Sequence, residues 1–204
     1  IAAVAGQTDQ LGQMLDQFQQ YKPLFVPVGA LVAAVAGVNG LASSMFSREG
    51  DLIRELKALP VDVNEIVKVK FLHIETLSFI GPAFGAVALS LILGLSFVEA
   101  LVVFAVGALT LTFLNILQMI IDSIKPILEW ENPQRAMEQN VNVALSIPVV
   151  FGYVGGLGYL AFLLKDTISG TIMTIILTAI ALVGIVVTWP VLMKRANRLF
   201  ARDL

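Results

Sequence analysis

The sequence predicts an all-α protein, a polytopic bundle of transmembrane helices with one short charged helix outside the membrane. Its composition is 57% hydrophobic and 14% charged, whereas soluble domains have about 45–50% apolar and about 25% charged residues. Five apolar segments also reach the length of about 20 residues that a helix needs to cross the hydrocarbon core. A charged amphipathic stretch separates the first two segments, and it is the most informative part of the chain.

The five segments predicted to span the membrane lie at 24–46, 71–95, 97–121, 141–164 and 170–193. Only a few residues around Gly94 separate the second from the third, so we expect these two to form a tight helical hairpin. We treat all 204 residues as a single transmembrane domain. Its other parts are an external segment, two cytoplasmic loops and a cytoplasmic tail, at 1–23, 47–70, 122–140 and 194–204.

Basic residues set the expected orientation. Of the thirteen Lys and Arg residues, all except Lys22 and Lys165 lie in the two loops or the tail. Cytoplasmic loops carry an excess of Lys and Arg, so we place these regions inside and the N-terminus outside. The prediction is a multi-pass protein of the cell membrane. Because the N-terminus is outside and no signal peptide is readable, we also expect at least one further span upstream of Ile1.

The first loop has the pattern of a short helix with an elbow. Its apolar side chains share one helix face: Leu52, Ile53, Leu56 and Leu59. Pro60 ends this helix because it lacks an N–H and clashes with the preceding turn. Asp62 and Glu65 have the spacing of a capping box that begins the next helix. From the residues alone, the short helix is equally well explained as a docking surface for a cytoplasmic protein or as an interfacial anchor.

The second loop contains a shorter set of helix signals. Asn132 is a good N-cap and Pro133 suits the first position of a helix. We expect the amphipathic ring of Trp130 to lie at the level of the headgroups. Gln139 and Asn140 then lead into the fourth span. An ordinary capped helix start explains this pattern without any further function.

Three polar residues inside the spans are candidates for a transport pathway or for helix contacts: Glu75, Asn115 and Gln118. An ionisable group inside the membrane is a functional candidate by default. Glu75 lies near the cytoplasmic end of its span, where snorkelling or capping is the simpler explanation, as it is for Asp122. Asn115 and Gln118 are three residues apart and therefore share a helix face.

The sequence offers no catalytic or metal site. It contains no cysteine, and its one histidine, His73, does not belong to an H-E-x-x-H motif. The phosphate-binding pattern Gly-x-x-x-x-Gly-Lys-Ser/Thr is absent from it. A net charge of −2 gives no reason to expect nucleic acid as a partner.

Two cytoplasmic stretches resemble those of ABC-2-type permeases. The first runs Ser-Arg-Glu-Gly-Asp from Ser47, then Leu-Lys-Ala-Leu-Pro to Pro60 and Ile-Val-Lys-Val-Lys to Lys70. The second, W-x-N-P-x-x-A-x-x-Q-N from Trp130 to Asn140, is similar to the second cytoplasmic loop of one branch of that family. Both stretches occur at the expected places in the order of spans.

The resemblance implies a transport subunit of an exporter rather than an enzyme. A separate ABC ATPase subunit would supply ATP and Mg²⁺, a second permease half would complete the pathway, and the cargo would be an amphiphilic peptide, antibiotic or lipid. The contacts with the ATPase implied by the resemblance are Glu49, Gly50, Leu56, Lys57, Leu59 and Pro60. Leu52 and Ile53 join this set because they belong to the apolar face that would fill a groove of the ATPase. A secondary transporter, a membrane-embedded enzyme and a non-transporting membrane scaffold are the alternatives.

Overall fold

The computed structural model describes residues 20–50, 52–58, 60–129, 132 and 140–201, and regular structure within these ranges is entirely helical. The α-helices are α1 (Phe25–Gly37), α2 (Leu52–Ala58), α3 (Val63–Ser78), α4 (Ile80–Leu93), α5 (Phe97–Ile124), α6 (Val141–Leu164) and α7 (Gly170–Phe200). Short 3-10 turns, Lys22–Leu24 and Ser47–Glu49, precede α1 and α2.

Within the described ranges, four helical stretches are long and apolar enough to cross a membrane: Val63–Leu93, Phe97–Ile124, Val141–Leu164 and Gly170–Phe200. They correspond to the second to fifth predicted segments, which confirms an all-α protein with the properties of a membrane protein. The last helix continues beyond the predicted end at residue 193. Its buried face is extended there by Ala196 and Leu199, which pack into the protein.

The first predicted segment, 24–46, contains a shorter helix than expected. α1 has 13 residues, which gives a length of about 20 Å, less than the hydrocarbon core of about 30 Å. After it, Val38 is extended, with φ −67° and ψ 128°. The Asn39 side chain donates to the Gly37 carbonyl at 3.1 Å and accepts from the Leu41 N–H at 2.9 Å. These local bonds replace those that would continue the helix.

α1 lies in the middle of the bundle and contacts α4, α5, α6 and α7. Its crossing with α4 is close because glycines meet there. A Cβ atom at Gly81 would lie 2.3 Å from the backbone nitrogen of Gly37 and 2.3 Å from the carbonyl oxygen of Ala36. No side chain fits at Gly81 without moving α1, so the crossing requires glycine at this position.

Contacts between distant segments define two ends of the bundle. At one end, the Asn197 side chain near the end of α7 donates to the Asn64 side chain at the start of α3, at 2.9 Å. We call this the loop end, because the described residues between 38 and 62 also lie there. At the opposite end, Tyr21 stacks on Phe162 with ring centroids 6.5 Å apart.

The largest buried apolar cluster lies at the loop end. It joins residues between α1 and α2 to α2 itself, α3, α5 and α7, and its buried members include Met45, Phe46, Ile53, Val67, Ile74, Ile116, Met119, Leu192, Ala196 and Leu199. Phe71 of α3 meets Trp189 of α7 edge to face beside this cluster, with centroids 4.8 Å apart. The short helix α2 is therefore packed onto the long helices rather than extended away from them.

Candidate functional site

The candidate site is the first loop, and it begins with a tight turn. The 3-10 turn Ser47–Glu49 leads into Gly50, which has φ 51° and ψ −131°, a conformation that residues with a Cβ rarely adopt. The carboxylate of Glu49 forms an ion pair with Lys70 of α3. Glycine therefore permits the turn, and the glutamate holds it against α3.

The predicted apolar face of α2 is divided between the core and the surface. Ile53 is 1% exposed and belongs to the loop-end cluster, whereas Leu52 is 53% exposed. Leu56 and Lys57 are half-buried and line a pocket together with Phe200 of α7. Ile53 thus holds α2 on the bundle and is not accessible to a partner protein while α2 occupies this position.

Other described residues of the loop are open to solvent. Among the described residues, Leu52, Glu55, Ala58 and Pro60 are exposed on and beside α2. These side chains form the surface that a partner could contact, and we call them the exposed loop face. Leu59, predicted on the same helix face, lies outside the described residues.

Buried Asp122, near the end of α5, connects the first loop to the long helices. Its Oδ2 accepts from the backbone N–H groups of Phe46 at 2.6 Å and Ser47 at 2.9 Å. Its Oδ1 accepts from the Ser47 hydroxyl and, at 2.9 Å, from the Asn142 side chain of α6. A buried carboxylate is stable only when hydrogen bonds compensate its lost hydration, and here the donors come from two other segments.

The same network reaches the second loop. The Ser47 hydroxyl oxygen accepts from the Ile127 N–H at 3.0 Å, and the Asn142 amide donates to the Lys125 carbonyl at 3.0 Å. The side chain of Asn140 caps α6 by accepting from the Asn142 N–H at 2.8 Å. The beginning of the first loop, the end of α5 and the start of α6 are therefore joined into one unit.

The sequence explained Asp122 by snorkelling or helix capping and gave no sign of this network. Its donors are more than 70 residues away in the chain for Phe46 and Ser47, so no local pattern contains them. One signal was available. A negative charge at the C-terminal end of a helix is unfavourable in the field of the helix dipole, and it persists where other groups compensate it.

Other predicted residues of the second loop are only partly described. Trp130, Pro133 and Gln139 lie outside the described residues. Asn132 is exposed, while Asn140 is 3% exposed. Asn140 is therefore part of the buried polar network rather than of the exposed loop face.

Arg48 lies between the turn and the core. Its guanidinium Nη2 donates to the carbonyl of Leu41 at 3.3 Å. Burial lowers the pKa of Arg48 below its ordinary value, and the nearby carboxylates of Glu49 and Asp122 oppose that shift. An arginine remains charged under these conditions, so it brings a positive charge to the buried side of the turn.

Glu75 forms a second polar cluster within the long helices. Its carboxylate is buried in α3 and accepts from the Thr112 hydroxyl at 2.8 Å and from the Asn115 side chain at 2.8 Å, both on α5. Asn115 therefore makes a helix contact. Gln118, on the same face of α5, does not join this cluster and lines a separate cavity.

Among the described residues, no group of His, Asp or Glu side chains could hold a metal ion. The site consists of an exposed helix face next to a turn that is hydrogen-bonded to buried Asp122. No protein-family model, curated protein or solved structure is significantly similar to this chain.

Proposed function

We propose that this chain is the membrane-spanning permease subunit of an ABC-2-type exporter. It would couple ATP hydrolysis by a separate ATPase to the export of an amphiphilic cargo such as a peptide, an antibiotic or a lipid. One observation carries the proposal: a short amphipathic helix stands at the end of the long apolar helices, and the turn before it is bonded to Asp122. The sequence resemblance of both loops to this family supports the same function.

The network suggests how movement would pass from the ATPase to the membrane. The exposed loop face is part of α2, so its displacement would carry α2 and the adjoining turn with it. Ile53 of α2 is packed in the core and would move with the helix. Ser47 would pull on Asp122 of α5, and Asn142 would carry the same displacement to α6. Packed helices respond to such forces as rigid bodies that shift or tilt.

The remaining partners follow from what one permease chain lacks. This sequence contains no phosphate-binding loop, so the loop that binds ATP and Mg²⁺ would lie on another polypeptide, here the proposed ATPase, or on a part of the protein outside these residues. A second permease half would complete the pathway across the bilayer. The excess of Lys and Arg in the loops and tail supports a cytoplasmic position for α2.

Co-purification with the ATPase encoded beside the gene tests the proposal. Leu52 is exposed and apolar, so Leu52→Asp should insert normally but disrupt an interface in which this side chain is buried. Loss of a central interface residue weakens binding by about tenfold or more. We therefore expect the wild-type chain to capture the ATPase and the variant to lose most of it, as measured by immunoblot of purified membranes.

Thr167→Asp is the matched control, because it adds the same charge at an exposed position of the opposite end. It should capture as much ATPase as the wild type. Equal capture by Leu52→Asp would show that the contact lies elsewhere. No capture by any form would count against the permease function itself.

The Glu75 cluster favours secondary transport as a second candidate function. A buried carboxylate inside a membrane-length helix, bonded to Thr112 and Asn115, is an arrangement used to bind coupling ions or protons. Vesicles that contain this chain and no ATPase distinguish the two functions. Cargo movement driven by an ion gradient in such vesicles would favour secondary transport.

A further inference from the structure

A cavity of about 280 Å³ lies at the loop end of α1, where α1 meets α5 and α6. One buried water needs only about 15 Å³ of such space, so the cavity has room for a larger occupant. Its polar wall comprises Asn39, Ser43, Gln118 and Ser146. The rest of its wall is formed by glycine and apolar side chains of α1, α6 and the residues after α1.

The Gln118 amide is the unsatisfied group of this cavity. The residue is 1% exposed, and its buried Nε2 has no hydrogen-bond partner among the described residues. Buried polar groups are almost always paired, because an unpaired donor keeps the full cost of losing its water. An unpaired amide in the wall of a cavity therefore points to an occupant that bonds to it.

The other polar side chains of the wall already have partners for their hydrogens. The Asn39 amide donates to the Ser78 hydroxyl at 2.9 Å as well as to Gly37. The Ser146 hydroxyl donates to the carbonyl of Asn142 at 2.8 Å. What the cavity lacks is an acceptor for Gln118, so the occupant must bring an acceptor oxygen.

The wall also limits the charge and shape of the occupant. None of the described residues that line the cavity is charged, so a headgroup with a net charge would lose its hydration without a counterion. Ile147 and Phe151 of α6 line the cavity and are 54% and 61% exposed. They form an apolar rim on the outer surface of a membrane-length helix, through which an alkyl chain can enter from the lipid.

We propose that this cavity binds the uncharged ester or amide carbonyl of an amphiphilic molecule, which accepts a hydrogen bond from Gln118 while its alkyl chain leaves past Ile147 and Phe151. If the chain is an exporter permease as proposed above, the cavity is a cargo site. The binding itself requires only this chain, so it can be measured without the ATPase.

Fluorescence quenching of the purified full chain tests the site. Phe151→Trp, in a background with Trp130→Phe and Trp189→Phe, places one tryptophan at the rim. The probes are a dioctanoylglycerol and an N-octanoyl amide, both brominated on the acyl chain, and a brominated octane without a carbonyl. Phe162→Trp in the same background reports unspecific partition of each probe into the micelle, because Phe162 is exposed on α6 but does not line the cavity.

We expect saturable quenching at position 151 by the ester probe, the amide probe or both, and only unsaturable quenching at position 162. Gln118→Leu should lower the affinity for the carbonyl probes by about fivefold and leave the affinity for the brominated octane unchanged. Because it removes an unpaired donor, the same variant should keep or raise the melting temperature of the protein without probe.

Three results would contradict the proposed site: equal quenching at both positions, an unchanged affinity of Gln118→Leu for the carbonyl probes, or a lower melting temperature of that variant. The ester and amide probes distinguish a lipid-like from a peptide-like source of the carbonyl. A negative quenching result would not affect the interpretation of the ATPase capture experiment. If the chain bound the probes but captured no ATPase, the cavity would still be a binding site, but its occupant would not be the cargo of an exporter.

Discussion

At the scale of single residues, Asp122 best shows how a buried polar group of this chain obtains its hydrogen-bond partners. The residue is completely buried, with 0% exposure, yet it carries a carboxylate that nothing in its own helix compensates. The compensation comes from the turn at Phe46 and Ser47 and from Asn142 of α6. The sequence could indicate that Asp122 ends a helix, but the donors are brought to it only by the packing of distant segments.

Removal of this carboxylate should therefore destabilise the loop end. In Asp122→Ala, the buried N–H groups of Phe46 and Ser47 and the Asn142 amide lose their acceptor. Each unpaired buried donor costs about 1–3 kcal/mol. We expect a lower melting temperature for the variant in detergent, measured by the loss of the monodisperse peak on size-exclusion chromatography after heating.

Asp166→Ala is the matched control, because its side chain is 82% exposed at the opposite end and forms an ion pair with Lys165. Exposed ion pairs contribute about 0–1 kcal/mol, so this variant should melt close to the wild type. Equal melting temperatures for both alanine variants would contradict the role of Asp122 as the connection between the loop and the helices.

At the scale of helices, local hydropathy predicted the long helices. It did not predict the helix ends and buried faces that depend on tertiary contacts. The four long apolar stretches overlap the predicted segments, because a run of apolar residues is a local property, although one begins earlier, at Val63, and the last continues to Phe200. The end of α1 at Gly37 was not predicted, because residues 38–46 are also largely apolar and the turn depends on Asn39. The face of α2 was predicted, but periodicity alone does not reveal that Ile53 packs into this chain's own core.

The crossing of α1 and α4 gives a prediction about helix packing. Gly81→Ala should force the two helices apart, since the new Cβ would lie 2.3 Å from Gly37 and Ala36 atoms. Overpacking of this kind costs about 1–3 kcal/mol or more. Gly152→Ala is the control, because no atom lies within 4 Å of its added Cβ and alanine favours a helix by up to about 1 kcal/mol.

Thermal melting of both variants in the same detergent measures the difference. We expect Gly81→Ala to melt below the wild type, and Gly152→Ala to melt at or above it. The packing of α1 against α4 would be in doubt if the two substitutions had the same effect.

At the scale of the whole molecule, the distribution of charge agrees with the contacts between segments. The sequence grouped the two loops and the tail by their Lys and Arg content, with Lys22 and Lys165 set apart. The structure brings the start of α3 and the end of α7 together at the loop end, while Tyr21 and Phe162 meet at the other. The grouping was predictable because it depends on charge counts, whereas the joining of the loops through Asp122 was not.

The orientation of these two ends in the membrane is the last prediction. Because the chain contains no cysteine, single substitutions report their own accessibility to a membrane-impermeant maleimide. Cytoplasmic loops are enriched in Lys and Arg, so Glu55→Cys in α2 should be labelled only after the cells are permeabilised. Thr167→Cys, exposed between α6 and α7, should be labelled in intact cells.

The cysteine-free parent controls for background labelling, and a gel-shift of each purified variant measures the labelled fraction. The reverse pattern would place α2 on the outer side, where a cytoplasmic ATPase cannot reach the exposed loop face. In that case the contact with Asp122 would still fix the loop to α5 and α6, but as an external feature of the bundle. The labelling experiment therefore decides whether the connection through Asp122 can transmit movement from an ATPase at all.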